Sequence, residues 1–167
     1  MITRIIIADD HLKFRQGLRV LLEKEPDMKV VAEAEGGGET ISLIRQFNAH
    51  VVVMDFKLSN LNGFETIEQI LTEFPQIKVV VLSLYSDRRF VTNMLRIGAR
   101  GYVLKDYAFD ELAPAIRLVM SGQICMSPEI AAMVDACDSD EPVCSHFMGS
   151  TIPSLETDDE THLGPRV

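Results

Sequence analysis

Four short apolar runs, each ending on a residue with chemistry, constrain what this chain can fold into. RIIIA precedes the pair Asp9-Asp10, VVVM precedes Asp55, KVVVL precedes Ser83, and GYVL precedes Lys105. Runs of this length with no polar alternation read as strands buried on both faces of a parallel sheet. Parallel strands share one carboxyl edge. Three carboxylates, a hydroxyl and an ammonium then fall in one crevice, a place suited to a divalent cation and a phosphoryl group.

Helical patterns fill the intervals between the runs. Phe14, Leu18, Leu21 and Leu22 share a face over about 11–24, and Pro26 ends that helix. A strand over about 29–34 follows, and Gly36–Gly38 turns into a helix with Ile41, Ile44 and Phe47 inward. This glycine run is not a phosphate loop, because no Gly-Lys-Ser/Thr follows it. Further helices are expected over about 63–73, 87–97 and 110–121, with Pro114 near the first turn of the last and Asp106 as its entry cap. The strands between them cover about 51–54, 78–82 and 101–104. Five strand–helix units imply right-handed crossovers and helices on both faces of the sheet, an α/β three-layer sandwich. Ligands of such sheets bind beyond the strand ends where the strand order reverses, which selects the strands carrying Asp9, Asp10 and Asp55.

Magnesium takes oxygen ligands in octahedral geometry and keeps several waters. Asp55 and Asp10 suit direct ligation, Asp9 a water-mediated place, and the backbone carbonyl of Lys57 a fourth protein contact. Zinc fits less well, since His11 is the one His or Cys near these strand ends. A carboxylate can also act as a nucleophile and form an aspartyl phosphate, which needs positioning and positive charge more than covalent help. Lys105 and Ser83 would supply charge and a hydrogen bond. Taken singly, each Asp reads as a turn or cap residue and Ser83 as a local hydrogen-bonding group. It is their joint placement at successive strand ends that points to chemistry.

ADDH (8–11), MDFKLSNLNG (54–63), VLSLYSD (81–87) and GARGYVLKD (98–106) together resemble the receiver domain of bacterial two-component response regulators. The spacing DDHxxxRxGL over Asp9–Leu18 resembles the nitrate-response and nodulation/fixation subfamily. The resemblance implies a flavodoxin-like receiver fold, with five parallel strands in the order 2-1-3-4-5 and five helices. It also implies Asp55 as phospho-acceptor, Asp9 and Asp10 as the acidic pair holding Mg2+, and Lys105 as the lysine that bonds the phosphoryl group. Ser83 then matches the switch hydroxyl and Tyr102 the aromatic switch. The implied partners are a sensor histidine kinase and, on phosphorylation, a second copy of the chain. The implied activity is self-phosphorylation from phosphohistidine with slow hydrolysis, not metabolic catalysis.

The chain departs from that family at Ser59, where proline is usual, at Leu58, where methionine is usual, and at Leu84, bulkier than the small residue many receivers carry. A bulky Leu84 narrows access to the site, so Leu84→Ala is expected to shorten the half-life of the aspartyl phosphate; an unchanged half-life would sink that idea. His11 reads as a helix-start residue beside the acids, and Arg88 and Arg89 as a solvated face.

Charge and composition place the remainder. The 167 residues carry a net charge of −9. Residues 139–167 hold six acids and one base, a net of −5; the remaining 19 acids and 15 bases give residues 1–138 a net of −4. Neither part has the basic surplus of a DNA-binding surface, so no direct nucleic-acid contact is expected. No run approaches the roughly 18 apolar residues of a membrane span, and the N-terminus lacks a signal-peptide pattern, so the expected location is cytoplasmic. The three cysteines lack close pairing and read as reduced thiols. The expected organisation is a receiver over 1–123, a short linker helix within 124–138 opened by Ser127 and Pro128, and an acidic disordered tail over 139–167. The subfamily usually continues into a helix-turn-helix output domain, and nothing in 139–167 resembles one. Two rivals stand beside the switch. A phosphohydrolase with an Asp nucleophile would place its two acids two apart on the first strand, whereas here they are adjacent. A phosphate-independent interaction module would lack an acid or the lysine.

Overall fold

A computed structural model describes residues 1–58 and 63–135. The central sheet is wholly parallel. Its strands are β1 (Thr3–Ala8), β2 (Met28–Ala34), β3 (Val51–Asp55), β4 (Lys78–Ser83), β5 (Gly101–Leu104) and β6 (Cys125–Met126), in the order β2-β1-β3-β4-β5-β6. The helices are α1 (Leu12–Glu23), α2 (Gly37–Phe47), α3 (Gly63–Glu73), α4 (Arg88–Ile97), α5 (Ala108–Met120) and α6 (Pro128–Asp135).

Strand alternation splits the core in two. Ile6, Ala8, Val52, Met54, Val79, Val81 and Tyr102 face the layer built from α2, α3 and α4. Ile5, Ile7, Val51, Val53, Val80, Leu82 and Val103 face the layer built from α1 and α5. Every residue of β3 is buried, which is why its sequence shows no polar alternation. The flavodoxin-like fold and the order 2-1-3-4-5 are those the sequence implied, with a sixth strand and a sixth helix added. Two residues give no periodicity, so β6 left no pattern to read. It forms because Cys125 and Met126 pair with Gly101 and Tyr102.

Three local expectations differ. Phe47 lies at the end of α2 and is exposed. Asp106 does not cap α5: it sits in a 3-10 turn over Lys105–Tyr107, and α5 begins at Ala108 without a side-chain cap. That early start puts Pro114 in the helix interior, where it leaves one carbonyl of the preceding turn without its usual N–H donor. Ser127 and Pro128 do precede and open α6. Ser59 and the segment 139–167 lie outside the described residues. No helix among the described residues is long and apolar enough to cross a membrane.

Candidate functional site

β1 and β3 are neighbours with Ala8 opposite Met54, so Asp9 and Asp55 emerge side by side at the carboxyl edge. β3 pairs with β4 and β4 with β5, and Ser83 stands opposite Leu104, the residue before Lys105. The sheet register alone therefore gathers the residues named from the sequence.

Lys105 is the hub. Its Nζ lies 2.8 Å from Asp9 Oδ2 and 2.8 Å from Asp55 Oδ2, and 4.9 Å from the centre of the Phe14 ring. Burial pulls the lysine pKa down, but the hydrogen bonds and charges of Asp55 and Asp9 outweigh it and hold the pKa above the ordinary value. The ammonium stays charged at neutral pH. The other oxygen of Asp55 accepts the Lys57 N–H at 3.1 Å, which brings the Lys57 peptide to the lip of the site. Asp9 is fully buried, and its Oδ1 accepts the His11 N–H at 2.7 Å. The His11 ring Nδ1 lies 2.8 Å from Asp10 Oδ1.

Asp9, Asp10, His11 and Asp55 offer ligand atoms within 4.8 Å of one another. Three carboxylates stand against the one ammonium of Lys105 in direct contact with two of them. That excess of negative charge, on hard oxygen donors, fits a magnesium ion with retained waters. His11 adds a single nitrogen donor and is mostly exposed, so the donor set remains an oxygen set.

Ser83 is buried at the end of β4, and its hydroxyl accepts the Tyr85 N–H at 3.0 Å. Tyr102 is fully buried, and its hydroxyl donates to the Tyr85 carbonyl at 2.6 Å. Burial pushes the Tyr102 phenol up to about 12, so it remains a donor. The Ser83–Tyr85 turn thus hangs between the Ser83 and Tyr102 hydroxyls. Leu84 between them is exposed, and Arg88 and Arg89 are exposed as well.

Two features have contacts that the sequence reading did not assign, although Arg15 is the arginine of the DDHxxxRxGL pattern. Arg15 is buried on α1, where it donates to the Asp9 carbonyl, to Glu33 at 2.9 Å and to Glu35 at 3.0 Å. It ties the end of β2 to the peptide of a site acid. Its signal was a basic residue in helical register with Leu18 and Leu22 on the inward face. The second is a run of rings. Phe56, directly after Asp55, packs on Phe90 at 4.0 Å, and Phe90 packs on Tyr102 at 6.1 Å. The rings lie in three segments far apart in sequence, and no local pattern links them.

A family model described as the response regulator receiver domain matches residues 5–117. The chain belongs to the response regulator receiver family. Receiver domains bind Mg2+ at an acidic pocket and interact with histidine kinases. Among relatives, the transcriptional regulatory protein DegU of Brevibacillus brevis is 36% identical over 127 residues, covering 76% of this chain and 54% of DegU. The response regulator GacA of Pseudomonas protegens is 37% identical over 128 residues, covering 77% and 60%. This receiver thus spans little more than half the length of such regulators. Among solved structures, a LuxR-family two-component response regulator from Aurantimonas sp. superposes with a TM-score of 0.76 at 34% identity, covering 80% of this chain and 96% of that one. The isolated REC domain of RcsB from Salmonella enterica, with the phosphomimetic BeF3−, gives 0.74 at 26% identity, covering 80% and 99%.

Proposed function

We propose that this receiver accepts a phosphoryl group from a sensor histidine kinase onto Asp55 and changes its surface in response. The observation that carries the reading is the bridge of Lys105 to both Asp9 and Asp55 at adjoining strand ends. A receiver needs an acceptor carboxylate, an acidic pair and a lysine close together, and the juxtaposition of Asp9, Asp10, Asp55 and Lys105 supports that reading.

In the proposed reaction an Asp55 carboxylate oxygen attacks phosphorus in line with the P–N bond of the donor phosphohistidine. The O–P bond forms as the P–N bond breaks, and the electron pair leaves with the imidazole nitrogen. Lys105, already within hydrogen-bond distance of Asp55, follows the new charge onto a phosphoryl oxygen. Ser83 turns its O–H from the Tyr85 turn toward a second oxygen. Asp9, Asp10, Asp55 and the Lys57 carbonyl are the groups proposed to hold Mg2+, which when bound neutralises charge on the transferring group. The dianionic product, of about −1.5 to −2 charge, biases the Ser83–Tyr85–Tyr102 unit and the α4–β5–α5 face beyond it. Self-association of the phosphorylated form is part of the proposal.

The regulators this chain resembles are longer, and one of them, RcsB, is seen as dimers bound to DNA, with the chain covering 68% of it. Control of transcription through an output domain is proposed for a longer relative of that kind. The net charge of −4 on residues 1–138 supports no direct nucleic-acid contact here, and a cytoplasmic receiver fits the whole. We retain 1–123 as the receiver proper, with a linker helix and an acidic tail after it.

Intact mass after incubation with acetyl phosphate and Mg2+ tests this. The expected gain is one phosphoryl group, about 80 Da, in the wild type and none in Asp55→Ala or without the ion. A folded wild type that gains nothing would replace the reading with a phosphate-independent interaction module.

A further inference from the structure

The segment after α5 does not leave the domain at once. Cys125 N–H donates to the Arg100 carbonyl and Ser127 N–H to the Tyr102 carbonyl, each at 2.9 Å, which sets β6 on the edge of β5. The Ser127 carbonyl is then taken by Ala131 N–H, the first turn of α6, at 2.9 Å. The next donor of β5, the Leu104 N–H, would be left without a backbone partner. The Ser127 hydroxyl takes that place: it accepts from Leu104 N–H at 3.1 Å and donates to Glu111 on α5. Ser127 is fully buried, so water does not substitute for it.

Leu104 adjoins Lys105, and Tyr102 lies two residues earlier. Ser127 therefore grips β5 between the switch tyrosine and the lysine of the phosphoryl site. On the far side, Ile130 of α6 is fully buried in the same apolar cluster as Tyr102, Val91 and Met94. Tyr107 beyond Lys105 donates to Glu129 of α6 at 2.6 Å.

We propose that Ser127 couples the docking of β6 and α6 to the state of Asp55. The inference rests on the receiver reading above. The docked arrangement belongs to a site in which Lys105 is shared between two carboxylates and the Ser83 hydroxyl is held by Tyr85. A phosphoryl group on Asp55 redirects both Lys105 and Ser83. Each pulls on β5, one directly and one through Tyr85 and the Tyr102 hydroxyl, and β5 carries both grips on Ser127. Phosphorylation thereby loosens the exit segment. Coupling of this kind is reciprocal, so loosening the exit segment in turn favours the phosphorylated state.

Hydrogen exchange read by mass spectrometry on the full chain tests this, before and after phosphorylation with acetyl phosphate and Mg2+, with intact mass taken on the same samples. Amides over 125–135 are expected to exchange about fivefold faster or more once the phosphoryl group is on, the lower end of typical coupling. Asp55→Ala should show no response. Ser127→Ala should gain the phosphoryl group yet lose the exchange response, and Ser127→Thr, which keeps the hydroxyl, should restore it. Ile130→Ala, which loosens α6 without touching the β5 hydrogen bonds, should bind the phosphomimetic BeF3− more tightly than the wild type in the presence of Mg2+. A phosphorylated wild type with unchanged or slower exchange over 125–135 overturns the coupling and leaves the receiver reading intact. A Ser127→Ala response equal to wild type removes Ser127 from it, and absence of phosphoryl gain in the wild type overturns both.

Discussion

Lys105 shows how one side chain serves stability and chemistry together. Asp9 and Asp55 are buried carboxylates, and the ammonium between them is their common cation. Replacing it with Met keeps the stem and leaves two charges without a partner. Loss of one member of a buried ion pair costs about 3–5 kcal/mol. Lys105→Met is therefore expected to lower stability by about 3 kcal/mol without Mg2+, measured by urea unfolding, and to regain more than the wild type does when Mg2+ is added. Equal recovery in both proteins would separate the lysine from the cation site. The site acids, the lysine and Ser83 were legible in sequence because each ends a strand or comes just after one, and strand ends of a parallel sheet coincide. Arg15 was not legible as a site neighbour. Its position reads as core, and the ligands that make a buried guanidinium tolerable, Glu33 and Glu35, come from the far end of β2. Leu84 offers a narrower lesson: its side chain is exposed, so it can restrict access only at the mouth of the site.

At the scale of elements, the start of α3 packs directly against the residue that follows β3. A Cβ on Gly63 would stand 2.5 Å from the Phe56 carbonyl oxygen and 2.8 Å from its ring. Backbone cannot yield as a side-chain tip can, so Gly63→Ala must push apart the start of α3 and the residue after Asp55. Overpacking of this kind costs about 1–3 kcal/mol. We expect a loss near 2 kcal/mol together with slower phosphorylation of Asp55, measured by unfolding and by intact mass. Full stability in that variant would mean the two elements separate more easily than their packing indicates. Strands and helices of the first five units were legible because buried strands and amphipathic helices differ in period. α3 and β5 match their expected bounds, while α5 starts two residues early because a 3-10 turn continues directly into it. β6 was invisible for the opposite reason, since it owes its form to a partner strand rather than to its own two residues.

For the molecule as a whole, a cation that binds only the folded chain must raise its melting temperature. At a concentration one hundred times Kd the gain is about 2.7 kcal/mol. For a domain of this size that is roughly 5–10 °C. Calorimetry with Mg2+ against Na+ at equal ionic strength checks it, and Asp55→Ala should respond less. An equal shift in both would assign the effect to general charge screening. The same architecture carries a consequence for synthesis. β1 pairs with β2 on one side and β3 on the other, so the three strands that emerge first are also contiguous in space. Domains fold from the N-terminus as they are made, at about 5–20 residues per second. Lys105 lies 50 residues beyond Asp55, so its arrival follows that early half-sheet by about 2.5–10 s at such rates. Until then Asp9 and Asp55 are without the Lys105 ammonium that bridges them in the finished fold. Adding β5 to the sheet and bringing Lys105 to Asp9 and Asp55 are the same event, so the proposed phosphoryl site exists only once the fifth strand is in place.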